Sequence, residues 1–176
     1  MFDTIAIDNT RFIFDTNFSG DPQKDRKYGS TLRKANIVVP EELAMKLMDD
    51  GFAVRQTNMR PDDDPETFHP EYFVTVQLKY RTKTGQLVKY LPKVYLVNDE
   101  YEPRLLDENT VCELDNIRVK NVNVVLNPHI YNVETGEKNL YIRTMYVEQR
   151  TEDDPYAAHY RKLRDSMREG TDVATA

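Results

Sequence analysis

Lys79, Arg81, Lys83, Lys89 and Lys93 put five cations into one short stretch, with Tyr80 and Tyr90 among them and no carboxylate between. Cations neutralise phosphates and tyrosine rings offer a face to unpaired bases, so the chemistry these residues suit is binding of a single-stranded nucleic acid. The whole chain carries a formal charge of -6, which makes the stretch a local enrichment and not a product of overall composition. A second group, Lys24, Arg26, Lys27 and Tyr28 with Arg33 and Lys34, lies in residues 21–34, where five basic residues stand against two acidic ones. Phe18 just ahead of it adds a stacking candidate. A third group, Tyr131, Tyr141 and Arg143, falls on two late extended segments.

Each group also has a plainer reading. Lysines on an edge strand guard against aggregation, a phenylalanine folds back onto a core, and loop cations are ordinary surface charge. Absence of carboxylates between residues 79 and 93 favours binding there.

Bond-making chemistry finds little support. His69, His129 and His159 are scattered without a neighbouring ligand at metal spacing, and Asp62, Asp63 and Asp64 lack the glycine and glutamate of a calcium loop. No phosphate-binding loop, nucleophile elbow or zinc-protease motif is present. The expectation is a protein without catalytic residues, metal or cofactor. Cys112 has no second cysteine to pair with and reads as a small apolar residue.

At 176 residues, with 39% hydrophobic and 31% charged side chains, the chain suits one ordinary soluble domain. Residues 1–60 and 71–150 are each neutral; the excess acid lies in 61–70, with four carboxylates and no base, and in 151–176. No long apolar run or signal-peptide pattern appears, so a cytoplasmic location is expected.

These residues need strands to position them. Phe73–Tyr80 alternates, Thr82–Gly85 reads as a turn, and Leu87–Tyr90 resumes the alternation, which predicts a hairpin carrying the basic stretch. On it Lys79, Arg81 and Lys83 share one side and Tyr80 takes the other, with Tyr80 a core candidate. Thr10–Asp15, Arg33–Val39, Phe52–Arg55 and Val94–Val97 read as further strands. Residues 41–50 read as a short helix that begins after Pro40 and stops at Gly51. Asp107 is placed to cap a helical turn over 107–114. The β-branched run Val119–Leu126, the turn 134–137 and Leu140–Val147 predict a long closing hairpin. Simple alternation puts Tyr141, Arg143 and Met145 on one face, with Ile142 and Tyr146 on the other.

Several mostly antiparallel strands without repeated strand-helix crossovers predict an all-β fold with short helices. An OB-like five-stranded antiparallel barrel with insertions over residues 1–150, followed by a polar helical tail over 151–176, fits best; a β-sandwich is the alternative.

Asn9–Phe12, Asn17–Gly20, Asp49–Phe52, Leu105–Val111, and above all Ile117–Pro128 with Pro128-His129-Ile130-Tyr131 and the hairpin through Val147, resemble phage-encoded single-stranded-DNA-binding proteins of OB fold. The resemblance covers roughly residues 9–150. It implies an accessory replication or recombination protein that coats unpaired DNA with little sequence preference, with replication or recombination proteins as further partners. The residues themselves also leave open a module that blocks a host protein, or a virion component. Exposed strand edges leave room for a homodimer.

Overall fold

Alternation of side chains decides which face of each strand is buried. In Arg33–Val39, Ala35, Ile37 and Val39 point inward while Asn36 and Val38 face out, and in the partner strand Val74, Val76 and Leu78 point inward with Thr75 and Gln77 outside. The computed structural model describes residues 3–24, 31–150, 156, 159–160 and 162–168. Among the described residues, nine strands join in one mixed sheet: β1 (Ile5–Thr10), β2 (Phe12–Asn17), β3 (Arg33–Val39), β4 (Arg55–Gln56), β5 (Tyr72–Leu78), β6 (Lys93–Val97), β7 (Pro103–Leu106), β8 (Val119–Asn132) and β9 (Glu137–Gln149).

Hydrogen bonding runs in the order β1-β8-β9-β5-β3-β2, with β4 added to β5 and the β6–β7 pair added to β9. The sheet is therefore β-rich as expected but larger than five strands. Its pairing is also mixed, because β5 and β6 both run parallel to β9. The two ends of the path, β1 and β2, are consecutive in the chain and separated by Arg11 alone. Around that bend Val38 donates its N–H to the Arg11 carbonyl, and the Arg11 guanidinium pairs with Glu71.

Ile37, Val74, Val76, Val94, Val122, Leu126, Met145 and Val147 form the centre of a single core. The helix α1 (Glu41–Asp49) presses Ala44 and Leu47 into it; Glu41 and Glu42 in its first turn oppose the positive end of its dipole. Gly51 ends the helix at φ +85°, a conformation that a side chain strains.

Three local expectations are corrected. Strand β5 ends at Leu78, so the expected hairpin is reduced to a short one: an Arg81–Leu87 bridge, the bonds Val88 N–H to Tyr80 and Thr82 N–H to Gln86, and the turn bond Gly85 N–H to Thr82 hold it. The expected strand 52–55 shrinks to Arg55–Gln56, because Phe52 turns into the core. Asp107 closes a tight turn through bonds to the N–H groups of Asn109 and Thr110, and the 3-10 helix Val111–Asn116 begins only after it.

Candidate nucleic-acid interface

Strand β9 is flanked along one edge by β8 and along the other by two strands placed end to end. β5 meets it at Gln77–Tyr141, whereas β6 joins further on, from Lys93–Thr144 to Val97–Glu148. The chain between β5 and β6 must arch over the fork between them. An open groove of about 1110 Å³ lies at that fork.

Seven of the residues singled out in the sequence line this groove: Lys79, Arg81, Lys89, Tyr90, Lys93, Tyr141 and Arg143. They come from the arch, from the start of β6 and from β9. Tyr90 is 83% exposed, and the Lys89 ammonium sits 5.4 Å from its ring centre. Tyr141 is half-buried at the groove floor, with the Lys79 ammonium 5.8 Å from its ring and the His129 ring beside it. Leu87, Leu91 and Leu105 add exposed apolar surface to the walls. Cations over and between rings, above an apolar lining, give a trough suited to a strand whose phosphates are charged and whose bases are flat.

Two carboxylates offset part of the charge. Glu108 takes both a 2.7 Å and a 3.0 Å hydrogen bond from Arg81 Nε, while Arg81 Nη1 donates to the Gly85 carbonyl. That side-chain bond raises the Arg81 pKa and holds Glu108 below the usual carboxylate range. Asp107 is lowered as well, first by the N–H of Asn109. Among the described residues, Lys79, Lys89, Lys93 and Arg143 have no such carboxylate partner. The groove therefore keeps a positive surplus. The Glu108–Arg81 pair was not foreseen in the sequence, since Glu108 lies far along the chain from Arg81 and only the fold brings them together.

A cross-strand row extends the outer face. Lys34 on β3 stands opposite Gln77 on β5, Gln77 opposite Tyr141 on β9, and Tyr141 opposite Asn127 on β8. Lys34 thus belongs to the face that carries the groove floor.

Phe18, Arg33 and Lys83 lie elsewhere. Phe18 is fully buried and packs edge-on against Phe12, so its role as a stacking residue is withdrawn: the turn it starts is tied inward by Asp115, whose carboxylate accepts from Thr16 Oγ1 and from the N–H groups of Phe18 and Ser19. Arg33 turns away as well, donating from Nη1 to the Phe18 carbonyl and lying over the Tyr80 ring. Lys83 is exposed at the tip of the arch, outside the groove lining. Tyr131 lies on β8, Lys24 ends the 3-10 turn Pro22–Lys24, and Arg26, Lys27 and Tyr28 fall outside the described residues.

Tyr80 is core, 5% exposed, as its position opposite Lys79 implied. Burial pushes its pKa up to about 12, and among the described residues its hydroxyl meets no hydrogen-bond partner.

One register error in the sequence reading has a physical cause. The β8–β9 ladder shifts between Val125–Thr144 and Leu126–Ile142, so Arg143 is an extra residue on β9. Such a bulge reverses the alternation beyond it. Met145 is fully buried and Tyr146 faces out, the reverse of the simple pattern, and Tyr141, Arg143 and Thr144 all reach the groove.

A family model described as "Putative phage ssDNA-binding domain" matches residues 1–166. No curated protein sequence matches the chain. Among solved structures, the single-stranded DNA-binding protein of bacteriophage Enc34 in complex with ssDNA is similar at 16% identity and a TM-score of 0.46, over 86% of this chain and 88% of that one. A C-terminally truncated form of the Enc34 protein gives 14% identity and a TM-score of 0.46, over 85% and 86%. The single-stranded DNA-binding protein gp2.5 of bacteriophage T7 gives 10% identity and a TM-score of 0.38, over 86% and 94%.

Proposed function

The chain belongs to the family of phage ssDNA-binding domains, and from that premise we propose that it takes the unpaired strand into the groove at the β5–β6 fork. The protein binds single-stranded DNA in phage replication. Phosphates run past Lys79, Lys89, Lys93 and Arg143, and bases stack on Tyr90 and Tyr141. Because no group is aimed at a base edge in this reading, sequence preference is slight, and protection of unpaired DNA follows from occupancy alone. The convergence of seven candidate residues from three chain segments on one groove carries the reading.

We read the fold as OB-like in the finer sense too. β1 with β2 as one bent strand, then β3, β5, β9 and β8, is the cyclic neighbour order such a barrel needs, and β4, β6 and β7 are additions. Residues 1–150 are the binding domain and 151–176 a polar appendage, whose described helical residues 162–168 are all exposed. We assign the protein no catalytic step and a place of action in the host cytoplasm.

The test is a salt series of oligo(dT) binding with Lys79→Gln, Lys89→Gln and Lys93→Gln combined. Single-stranded binding loses about 0.7 in the slope of log affinity against log salt for each phosphate contact removed, so the triple variant flattens the slope by about 2. An unchanged slope would take the strand out of this groove.

A further inference from the structure

Beyond the groove, on the same outer face, Tyr95 of β6 and Tyr146 of β9 are stacked, with ring centres 4.5 Å apart and planes 12° from parallel. They are cross-strand partners two residues past the pair Lys93–Thr144, and both members of that earlier pair line the groove. Between them Val94 and Met145 point into the core, fully buried, so the register is regular and the tyrosine pair shares the face of Lys93 and Thr144. At about 3.3 Å per residue, the pair lies only about 7 Å farther along the strands than Lys93. Tyr146 is 39% exposed even so, between Tyr95 on one side and Asn123 on the other, which leaves part of its side chain open to solvent.

We propose that the Tyr95–Tyr146 pair is a second base-stacking platform, engaged by DNA that leaves the groove past Lys93; this rests on the groove being the binding trough. A ring already stacked on another is held in one orientation, so little side-chain freedom is lost when a base covers it. The cations that bring the backbone to the pair, Lys93 and Arg143, lie on its groove side. On its far side the next outward position is Glu148, and the turn after β6 carries Asp99, Glu100 and Glu102. One cation, Lys120, lies there too, 5.7 Å from the Tyr101 ring, but the carboxylates outnumber it, so the pull on phosphates weakens beyond the pair.

The β-bulge at Arg143 makes the platform possible. Without that extra residue Tyr146 would face the core and Met145 the solvent. Strand β6, added to the free edge of β9, supplies the other ring.

The experiment compares oligo(dT) of about 4 and about 16 nucleotides, the range that single OB-like folds cover. Wild type, Tyr146→Leu, Tyr146→Phe and the triple lysine variant are titrated at two salt concentrations. Leucine keeps apolar cover over Tyr95 while removing the π-face; phenylalanine keeps the π-face. Tyr146→Leu is expected to weaken the long oligomer by about 5- to 150-fold, the loss of one stacked base, with the short oligomer and the salt slope unchanged. Tyr146→Phe is expected to bind both as wild type does. Undiminished binding of the long oligomer by Tyr146→Leu, equal loss on both lengths, or the same loss with phenylalanine overturns the platform. If instead the lysine variant keeps its affinity and slope on both lengths, the groove reading itself fails, whatever Tyr146 does. Thermal melts of each variant separate loss of fold from loss of contact.

Discussion

Glu108→Gln removes a carboxylate that holds Arg81 away from a phosphate. In the wild type Arg81 Nε is committed to both Glu108 oxygens, at 2.7 and 3.0 Å, inside the groove proposed to hold the DNA strand. Both side chains are solvent-accessible, so their ion pair adds little to fold stability and its loss leaves the melting temperature within a few degrees. Binding responds more. Released, Arg81 makes about one further phosphate contact, which steepens the salt slope by about 0.7. Carried from about 1 M to about 0.1 M salt, that is ~0.7 of a decade, an affinity gain of about fivefold or ~1 kcal/mol. Fluorescence anisotropy of labelled oligo(dT) across a salt series reads both quantities. Weaker binding by Glu108→Gln would mean that Glu108 orients Arg81 for DNA and does not compete for it, and the charge account of the groove would be refuted. The pH dependence has a matching sign. Arg81 depresses the Glu108 pKa, so the carboxylate takes up its proton only below the ordinary range; wild-type affinity gains this component as pH falls through that lowered value, and Glu108→Gln lacks it.

Three further outcomes are expected. Tyr90→Ala, which removes the most exposed ring of the groove, weakens oligo(dT) binding by about 1–3 kcal/mol with an unchanged salt slope, and a flattened slope would count against stacking. Tyr80 stays protonated up to about 12 when folded, whereas an unfolded tyrosine ionises near pH ~10; stability is therefore full below about pH 10 and falls between about 10 and 12 by on the order of 1 kcal/mol per unit, a component that Tyr80→Phe abolishes in urea titrations across that window. Asp115→Ala leaves the N–H groups of Phe18 and Ser19 without their acceptor and lowers stability by ~2 kcal/mol or more, read from the urea midpoint.

What the sequence revealed was local. Charge clustering at 79–93 and alternation in β8 and β9 depend on neighbours along the chain, and both led to the groove. Helix α1 was legible for the same reason, between Pro40 and Gly51. What it hid depends on contacts between distant segments. Parallel addition of β6 to β9 has no turn signature, so the fork that creates the groove was invisible. A bulge needs only one extra residue, and alternation read across Arg143 assigned Tyr146 and Met145 to the wrong faces. Phe18 looked like a loop residue because its captor, Asp115, is nearly a hundred residues away. Nothing local in the chain pairs Glu108 with Arg81.

Strand β9 holds its ladder with β8 independently of how far the arch rises. Residues 82–86 close the arch as a turn with Gly85 at φ +85° and open space around it, remote from every core contact. The height of that wall is consequently a free variable: residues can be added to or removed from the tip, and the channel deepened or made shallower, while the β-scaffold keeps its register. In the proposed binding mode, lengthening or shortening this tip changes the footprint on DNA and leaves the foundation untouched.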